Sequence, residues 1–420
     1  MEETEVIVVG AGVSGLAAAR DLRRAGVDLL CLEARDRIGG RISTVRASAS
    51  PLPVELGAEF VHGRAPEVLD LAKSAGLLVS DVGGNAVYNH SGSWAEDPQL
   101  ESETGRLMKS MEDAQGDQTF AEFLDAASAS DEAKQWAAHY VEGFNAADAA
   151  VISVASLRQD QAASEEIEGY RSFRILDGYD RIPLSLAEGV GIRLNSVVKA
   201  IEWSKGRVIV ETRDGELAAR AAVITVPLPI LSNRSIWFQP EPPGIFEAIR
   251  SLRVGHVFRT VFDFDEPFWE SNPNLRDAGF LFTLDSWFPT WWTAVPIRAT
   301  RLTSWCAARN AERLFGLTAD AIAERALRSV ARQFGVGLGE IERHLKAFHL
   351  HDWSSDQYSL GAYSYAAVGG VEAREKLATP VEGTLFFAGE AAETNGHSAT
   401  VHGAIAAGYR AARQVLDAIR

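Results

Sequence analysis

Residues 5–33 constrain this chain more than any other stretch. A β-rich apolar run from Val6 to Val9 meets glycines at 10, 12 and 15; an Ala/Leu-rich helical pattern follows, and a second apolar run ends at Glu33. This is the pattern of a βαβ unit whose turn can cradle a pyrophosphate. Gly10 makes the tight turn, Gly12 lets backbone approach the phosphates, and Gly15 lets helix and strand pack closely. Val13 and Ser14 lie between them, where the helix N-terminus faces negative charge. Glu33 ends the second strand, where a carboxylate accepts the ribose hydroxyls of an adenosine. A glycine-rich turn that served only packing would not explain the place of Glu33. The fingerprint alone admits a nicotinamide or a flavin as the second half of the dinucleotide.

At 420 residues the chain exceeds what one core usually fills, so two domains are expected. The formal net charge of −16 argues against nucleic acid and anionic membrane as partners. It either favours cationic ligands or simply keeps the protein soluble. Cys31 and Cys306 both fall in apolar strand-like runs, which implies no disulfide framework and makes a reducing cytoplasm the simplest home. The acidic N-terminus enters its first strand at once, so no signal peptide is expected, and no apolar run reaches membrane-spanning length.

After Glu33, the loop Ala-Arg-Asp-Arg-Ile-Gly-Gly-Arg (34–41) lets backbone approach a ligand, and Arg41 can pair with phosphate as a planar fork. In Glu-Leu-Gly-Ala-Glu-Phe-Val-His-Gly (55–63), Gly57 and Ala58 are small enough to lie against a flat ring. With Gly-Ala-Gly-Val-Ser-Gly before them, these blocks resemble flavin-dependent amine oxidases, the family of monoamine oxidases, polyamine oxidases and lysine-specific histone demethylases. The double-glycine segment is shared with phytoene desaturases and protoporphyrinogen oxidases, so it points to the cofactor class rather than the substrate.

Residues 64–175 read as helical, with Phe120, Phe123, Trp136, Tyr140 and Phe144 at helical spacing and mostly core. From Tyr170 strands return: residues 192–203 and 207–215 read as a hairpin or meander turning at Lys205-Gly206 and Asp214-Gly215, and 222–227 as a further strand. Residues 228–350 form a second excursion, with strands near 257–264 and 279–284 and a helix near 319–334. It carries Trp237, Trp269, Trp287, Trp291, Trp292 and Trp305, which suit either a deep apolar cavity or the packing of a large sheet. Residues 351–365, 384–390 and 400–404 resemble the family's last blocks, and the resemblance covers nearly the whole chain.

The resemblance implies an α/β fold: a Rossmann-like FAD-binding domain (1–63, 176–227 and 351–420) and a discontinuous substrate domain of mixed sheet and helices (64–175 and 228–350). It implies cofactor contacts from Gly10, Gly12, Val13, Ser14, Gly15, Glu33, Ala34, Arg35, Gly40, Arg41, Gly57, Ala58 and Glu59. Further along, Val198 would meet the adenine, Trp353 and Tyr358 would flank the flavin ring, and Glu390, after Gly389, would reach the ribityl or pyrophosphate. The amides near Thr400 and Val401 would face the flavin C2 carbonyl, where helix N-terminal charge favours the reduced ring. Ala362 stands where monoamine oxidases carry the Cys that bonds the flavin, so FAD is expected to be non-covalent.

For catalysis the resemblance implies Tyr363 as one wall of an aromatic cage that can steer an amine. Thr400, where monoamine oxidases have a second Tyr, and His62 follow the polyamine oxidase pattern. His62 is either a hydrogen-bonding partner of the amine or a structural loop residue. Arg259 replaces a family Lys that holds a water at flavin N5; it can bind that water, fill its place and slow reaction with oxygen, or pair with an acidic group on the substrate. The implied activity is oxidation of a polyamine or a related primary or secondary amine, by hydride transfer to N5, giving an imine and, with oxygen, hydrogen peroxide; another electron acceptor can replace oxygen. An L-amino-acid oxidase, or a dehydrogenase or desaturase poor in oxygen reactivity, is the alternative on this scaffold. No metal-ligand spacing is found.

Overall fold

Val6–Val9 (β1) is buried at every residue and turns at Gly10 into the helix Val13–Arg24 (α1); Leu29–Leu32 (β2) then runs parallel to β1, with Val8 opposite Cys31. A Cβ on Gly15 would lie 1.9 Å from the Gly10 carbonyl oxygen, so only glycine lets α1 start this close to the strand. These elements belong to a computed structural model that describes residues 2–47, 50, 52–285 and 287–419.

Further on come Phe60–His62 (β3), Pro66–Ser74 (α2), Asn85–His90 (β4), Asp131–Phe144 (α3), Val154–Glu166 (α4) and Ser172–Ile175 (β5). The helical reading of 64–175 is corrected between 79 and 95, where three strands lie: Val79–Asp81, β4 and Ser93–Ala95. Val87 and Trp94 are buried there and the chain reverses at Ser91-Gly92, both with positive φ. Over more than a hundred residues, helix-forming composition obscured this short period-two stretch.

Ile192–Arg193 (β6), Val198–Ser204 (β7), Arg207–Thr212 (β8), Gly215–Ala219 (β9) and Ala221–Ile224 (β10) follow. Residues 192–203, read as one strand, divide between two sheets. β6 pairs with β2, Asn195 at φ 55° turns the chain, and β7 joins the meander with β8 and β9. The second excursion holds Val257–Phe264 (β11), Ala278–Phe282 (β12), Thr290–Thr293 (β13), Arg301–Ala307 (β14) and Leu345–Leu350 (β15), and the chain returns through Leu385–Phe387 (β16) to the long helix Val401–Ile419 (α5).

Two sheets position the site. One is parallel throughout, in the order β6-β2-β1-β10-β16, with α1 and α5 sharing a core against it. Helix α2 adds Val68, Leu71 and Ala72 to that core. The other has seven strands, β15-β11-β14-β13-β12-β4 and Ser93–Ala95, largely antiparallel. The tryptophans answer both alternatives: Trp269 and Trp291 are core, Trp292 and Trp305 lie on the opposite side in contact with one another, and Trp237 is exposed. Cys31 and Cys306 are buried free thiols, and among the described residues no helix is long and apolar enough to cross a membrane.

Candidate functional site

The N-terminus of α1, like that of α2, has no side-chain cap. Side chains of Thr119, Ser130, Ser153 and Thr318 cap other helices of this chain, whereas Gly12 caps α1 with none. The Ser14 hydroxyl at this end is buried and has no hydrogen-bond partner among the described residues. A Cβ on Gly12 would meet nothing within 4 Å. Unsatisfied amides, an unsatisfied hydroxyl and free space together suit an anion. Gly39 donates to the Ala11 carbonyl at 2.8 Å, which lays the double-glycine loop on this turn, with Gly40 against Gly12.

Glu33 is held at the same turn: its Oε2 accepts from the Ala11 amide at 2.8 Å and its Oε1 from the Arg35 amide at 2.9 Å. Carboxylate oxygens accept more than one bond, so Glu33 keeps capacity for a hydroxyl. Ala34 is half-buried beside it, and Val198 is buried at the head of β7. The Arg35 guanidinium goes elsewhere, to Asp356 and to Ser359 at 2.9 Å, with its charge 5.3 Å from the Tyr358 ring centre.

Arg41 joins three segments. Its carbonyl accepts from Ala58, and its guanidinium donates to the Ala362 carbonyl at 2.5 Å and to Glu390 at 3.0 Å. The other Glu390 oxygen accepts from the Ser364 hydroxyl at 2.7 Å. Burial would raise the Glu390 carboxyl, but Arg41 and Arg374 outweigh it and hold the pKa low. Trp353 donates to the Leu56 carbonyl at 2.8 Å and lies against Gly57, where a Cβ would come within 3.2 Å of the indole.

At the start of α5, the Thr400 hydroxyl donates to the His397 carbonyl at 2.7 Å and accepts from the Gly403 amide at 3.0 Å. Thr400 is therefore a helix cap, and the Val401 and His402 amides have no protein acceptor among the described residues. Next to them, burial lowers the His402 imidazole to about 3 and its Nε2 has no partner.

Arg259, on β11, donates to the Gly57 carbonyl at 3.0 Å and to Glu59, and its charge lies 5.5 Å from the Trp292 ring centre. Arg174, on β5, donates to the other Glu59 oxygen at 2.6 Å, and Trp292 Nε1 donates to Glu59 at 3.0 Å. Burial alone would raise the Glu59 carboxyl; the two arginines reverse this and keep it ionised. Glu59 thus gives its carboxylate to the protein and has only its backbone to offer a cofactor. Arg259 is already paired with a protein acid, while its Nε is buried without a partner among the described residues.

Beside this network stands a cluster of aromatic rings drawn from the seven-stranded sheet and from α3. Its sheet side runs from Trp305 and Trp292 (5.7 Å apart) through Phe280 and Phe282 to Tyr88. Its helix side is the α3 stripe Trp136, Tyr140 and Phe144, whose i, i+4 spacing puts them on one face. Tyr140 and Phe144, expected in the core, are 51% and 49% exposed and stack at 5.5 Å. Burial of the phenol by the surrounding protein raises the Tyr140 pKa. The Tyr363 hydroxyl donates to the Phe144 carbonyl at 2.7 Å, which leaves the ring face for a ligand. His62 lies 5.2 Å from Phe144 and is kept neutral by burial, with a pKa of about 4.

Glu59 as a clamp, Arg174 and His402 were not assigned these roles from sequence. A charge at 174 between the buried Phe173 and Ile175 was the available signal. Nothing local revealed Trp292 as a donor to Glu59.

Residues 13–96 and 91–416 match the family model described as flavin containing amine oxidoreductase. Polyamine oxidase 4 of Oryza sativa subsp. japonica is 31% identical over 97% of this chain and 87% of its own length. Lysine-specific histone demethylase 1 homolog 3 of Arabidopsis thaliana is 28% identical over 100% of this chain but 30% of its own length. Wild-type putrescine oxidase bound to putrescine superposes with a TM-score of 0.85 at 23% identity, covering 99% of both chains. Cyclohexylamine oxidase from Brevibacterium oxydans IH-35A gives 0.84 at 22% identity over the same shares; at such identities the likeness is one of fold.

Proposed function

This chain belongs to the family of flavin containing amine oxidoreductases, and from that premise we propose that it oxidises a polyamine or a related primary or secondary amine with non-covalently held FAD. The observation that carries the reading is the uncapped α1 N-terminus, with its unpartnered Ser14 hydroxyl and the room at Gly12. A pyrophosphate fits these donors, in a Rossmann-like unit completed by Glu33 at the adenosine ribose and Val198 at the adenine. Gly57, Ala58, Trp353 and Tyr358 would receive the ring, and the Val401 amide would meet its C2 carbonyl. Ala362 offers no sulfur for a covalent bond. Held by these residues, FAD would supply the hydride-accepting centre for oxidation of the carbon next to nitrogen, with oxygen (giving hydrogen peroxide) or another acceptor as the final oxidant.

The protein binds, orients and excludes water. Tyr363 presents a ring face to the amine, and the aromatic rings beside it exclude water. Neutral His62 can accept a hydrogen bond from the amine nitrogen. Arg259 stays charged, so it acts through its field and its hydrogen bonds and not as a base. The imine product leaves and hydrolyses in water. In this reading the parallel-sheet part holds the cofactor, the seven-stranded sheet faces the substrate, and the protein works in the cytoplasm with both thiols reduced.

The purified protein is expected to be yellow and to release its flavin to the supernatant on acid precipitation. Under anaerobic conditions an amine from a broad panel is expected to bleach the flavin band. If no amine bleaches it, the assignment to amine oxidation is wrong.

A further inference from the structure

Resting on that reading, we infer that Asp160 and Ser398 are positioning residues for the flavin: together they hold Ala399 in a left-handed backbone conformation that aims the Val401 amide at the C2 carbonyl. Ala399 has φ 62°, a region alanine seldom enters, and stands two residues before Val401. Such a conformation persists only where its surroundings over-determine it, and here both flanks are fixed. On one side the Ser398 hydroxyl donates to Asp160 Oδ1 at 3.2 Å. On the other the Thr400 hydroxyl donates to the His397 carbonyl at 2.7 Å and accepts from the Gly403 amide at 3.0 Å. The Val401 and His402 amides stay free of protein acceptors among the described residues, and at the same end His402 Nε2 is buried without a partner.

The strut comes from a distant part of the chain. Helix α4 packs on residues 394–398: Gln159 Nε2 donates to the Thr394 carbonyl at 3.2 Å, and a Cβ on Gly396 would lie 2.5 Å from the Gln159 carbonyl oxygen. Buried Glu393 closes the same loop from within, its carboxylate accepting from the Asn395 amide at 2.8 Å and the His397 amide at 2.7 Å. The cavity between α4 and the loop is about 10 Å³, room for no more than one water, so this contact is a clamp and not a ligand site. Burial raises the Asp160 carboxyl to about 7 against the pull of Arg374. Below that pH Asp160 is largely neutral and acts through its hydrogen bond rather than its charge. Without the bond Ala399 relaxes and the Thr400–Val401 peptide turns with it. The charge that builds at N1 and C2 on reduction then loses its donor.

The test is the two-electron reduction equilibrium of the bound flavin in the purified holoenzyme, measured against an indicator dye at about pH 6. Ser398→Ala and Asp160→Ala are each expected to disfavour the reduced flavin about tenfold, which is about 30 mV for a two-electron couple. Ser398→Thr and Asp160→Asn keep a hydrogen-bonding group and are expected to stay within about threefold of the unsubstituted protein. Glycine enters the left-handed region without strain, so adding Ala399→Gly to Ser398→Ala is expected to bring it back within about threefold. A variant that loses its flavin is read by FAD affinity instead, with the same tenfold loss and the same recovery. An unshifted equilibrium and affinity in both alanine variants overturns the inference. A loss that Ala399→Gly does not repair also overturns it, because Ser398 would then hold the fold and not the strained residue. The measurement uses no amine, so a flavin that no amine bleaches overturns amine oxidation and leaves this inference to its own result; a protein that binds no flavin overturns both.

Discussion

Glu59 shows how far one residue's role depends on its neighbours. In sequence it sits in a block that would line a cofactor; in the fold its carboxylate lies between Arg259 and Arg174 and takes a third bond from Trp292. Two arginines on one buried carboxylate leave a net positive centre beside Gly57, so the acid is what makes their burial tolerable. Glu59→Gln removes the charge and keeps the shape. It is expected to lower stability by about 3–5 kcal/mol, read as a reduced urea midpoint, because two like charges are then left buried together. An unchanged midpoint would mean that the arginines find water. Arg259 itself was legible as a departure from the family pattern, but its partner was not. Glu59 lies two hundred positions away, and only β11 passing behind the 57–59 segment brings them together.

Helix ends are where elements declare their function in this chain. Several turn a Ser or Thr onto their first amides, as Thr400 does at α5, yet α1 relies on glycine. Gly12→Ala places its methyl in open space, so the flavin-free protein is expected to hold its stability within about 0.5 kcal/mol while losing affinity for FAD. Gly15→Ala drives its methyl into the Gly10 carbonyl and is expected to cost about 1–3 kcal/mol in the flavin-free protein as well. Melting curves with and without added FAD separate the two; equal losses would deny Gly12 a ligand. The βαβ unit was readable because strand period, glycine spacing and helix period all fall within about thirty residues. The strands at 79–95 were not, since Val79–Asp81 pairs with residues 173–175 and β4 with residues 278–282. The α3 stripe was readable as helical, but that its Ala133, Ala137 and Val141 face the core with Phe120 while Phe144 comes beside Tyr363 is decided by packing.

At the scale of the molecule, buried titratable groups give opposing pH dependences. Burial raises Asp160 from 3.8 and Glu55 from 4.5, each to about 7. Their folded values lie above the unfolded ones, so their stabilising contribution is complete below the unfolded pKa and is lost as pH rises through 7. His62 and His139 at about 4 and His402 at about 3 lie below the ordinary imidazole value of 6.5, so their contribution is present above that value and is lost as pH falls. Asp160→Asn is expected to flatten the decline in denaturation midpoint between roughly pH 5 and 8, compared with the unsubstituted protein. Parallel curves would show that Asp160 titrates normally. The sequence alone determined the local features: strand and helix periods, the glycine turn and the acid that ends β2, because each rests on neighbours a few residues apart. The tertiary structure alone decided which charges are paired and which rings meet. A buried carboxylate's partner and an aromatic cluster's members come from strands and helices far apart in sequence, and no period in the chain records their meeting.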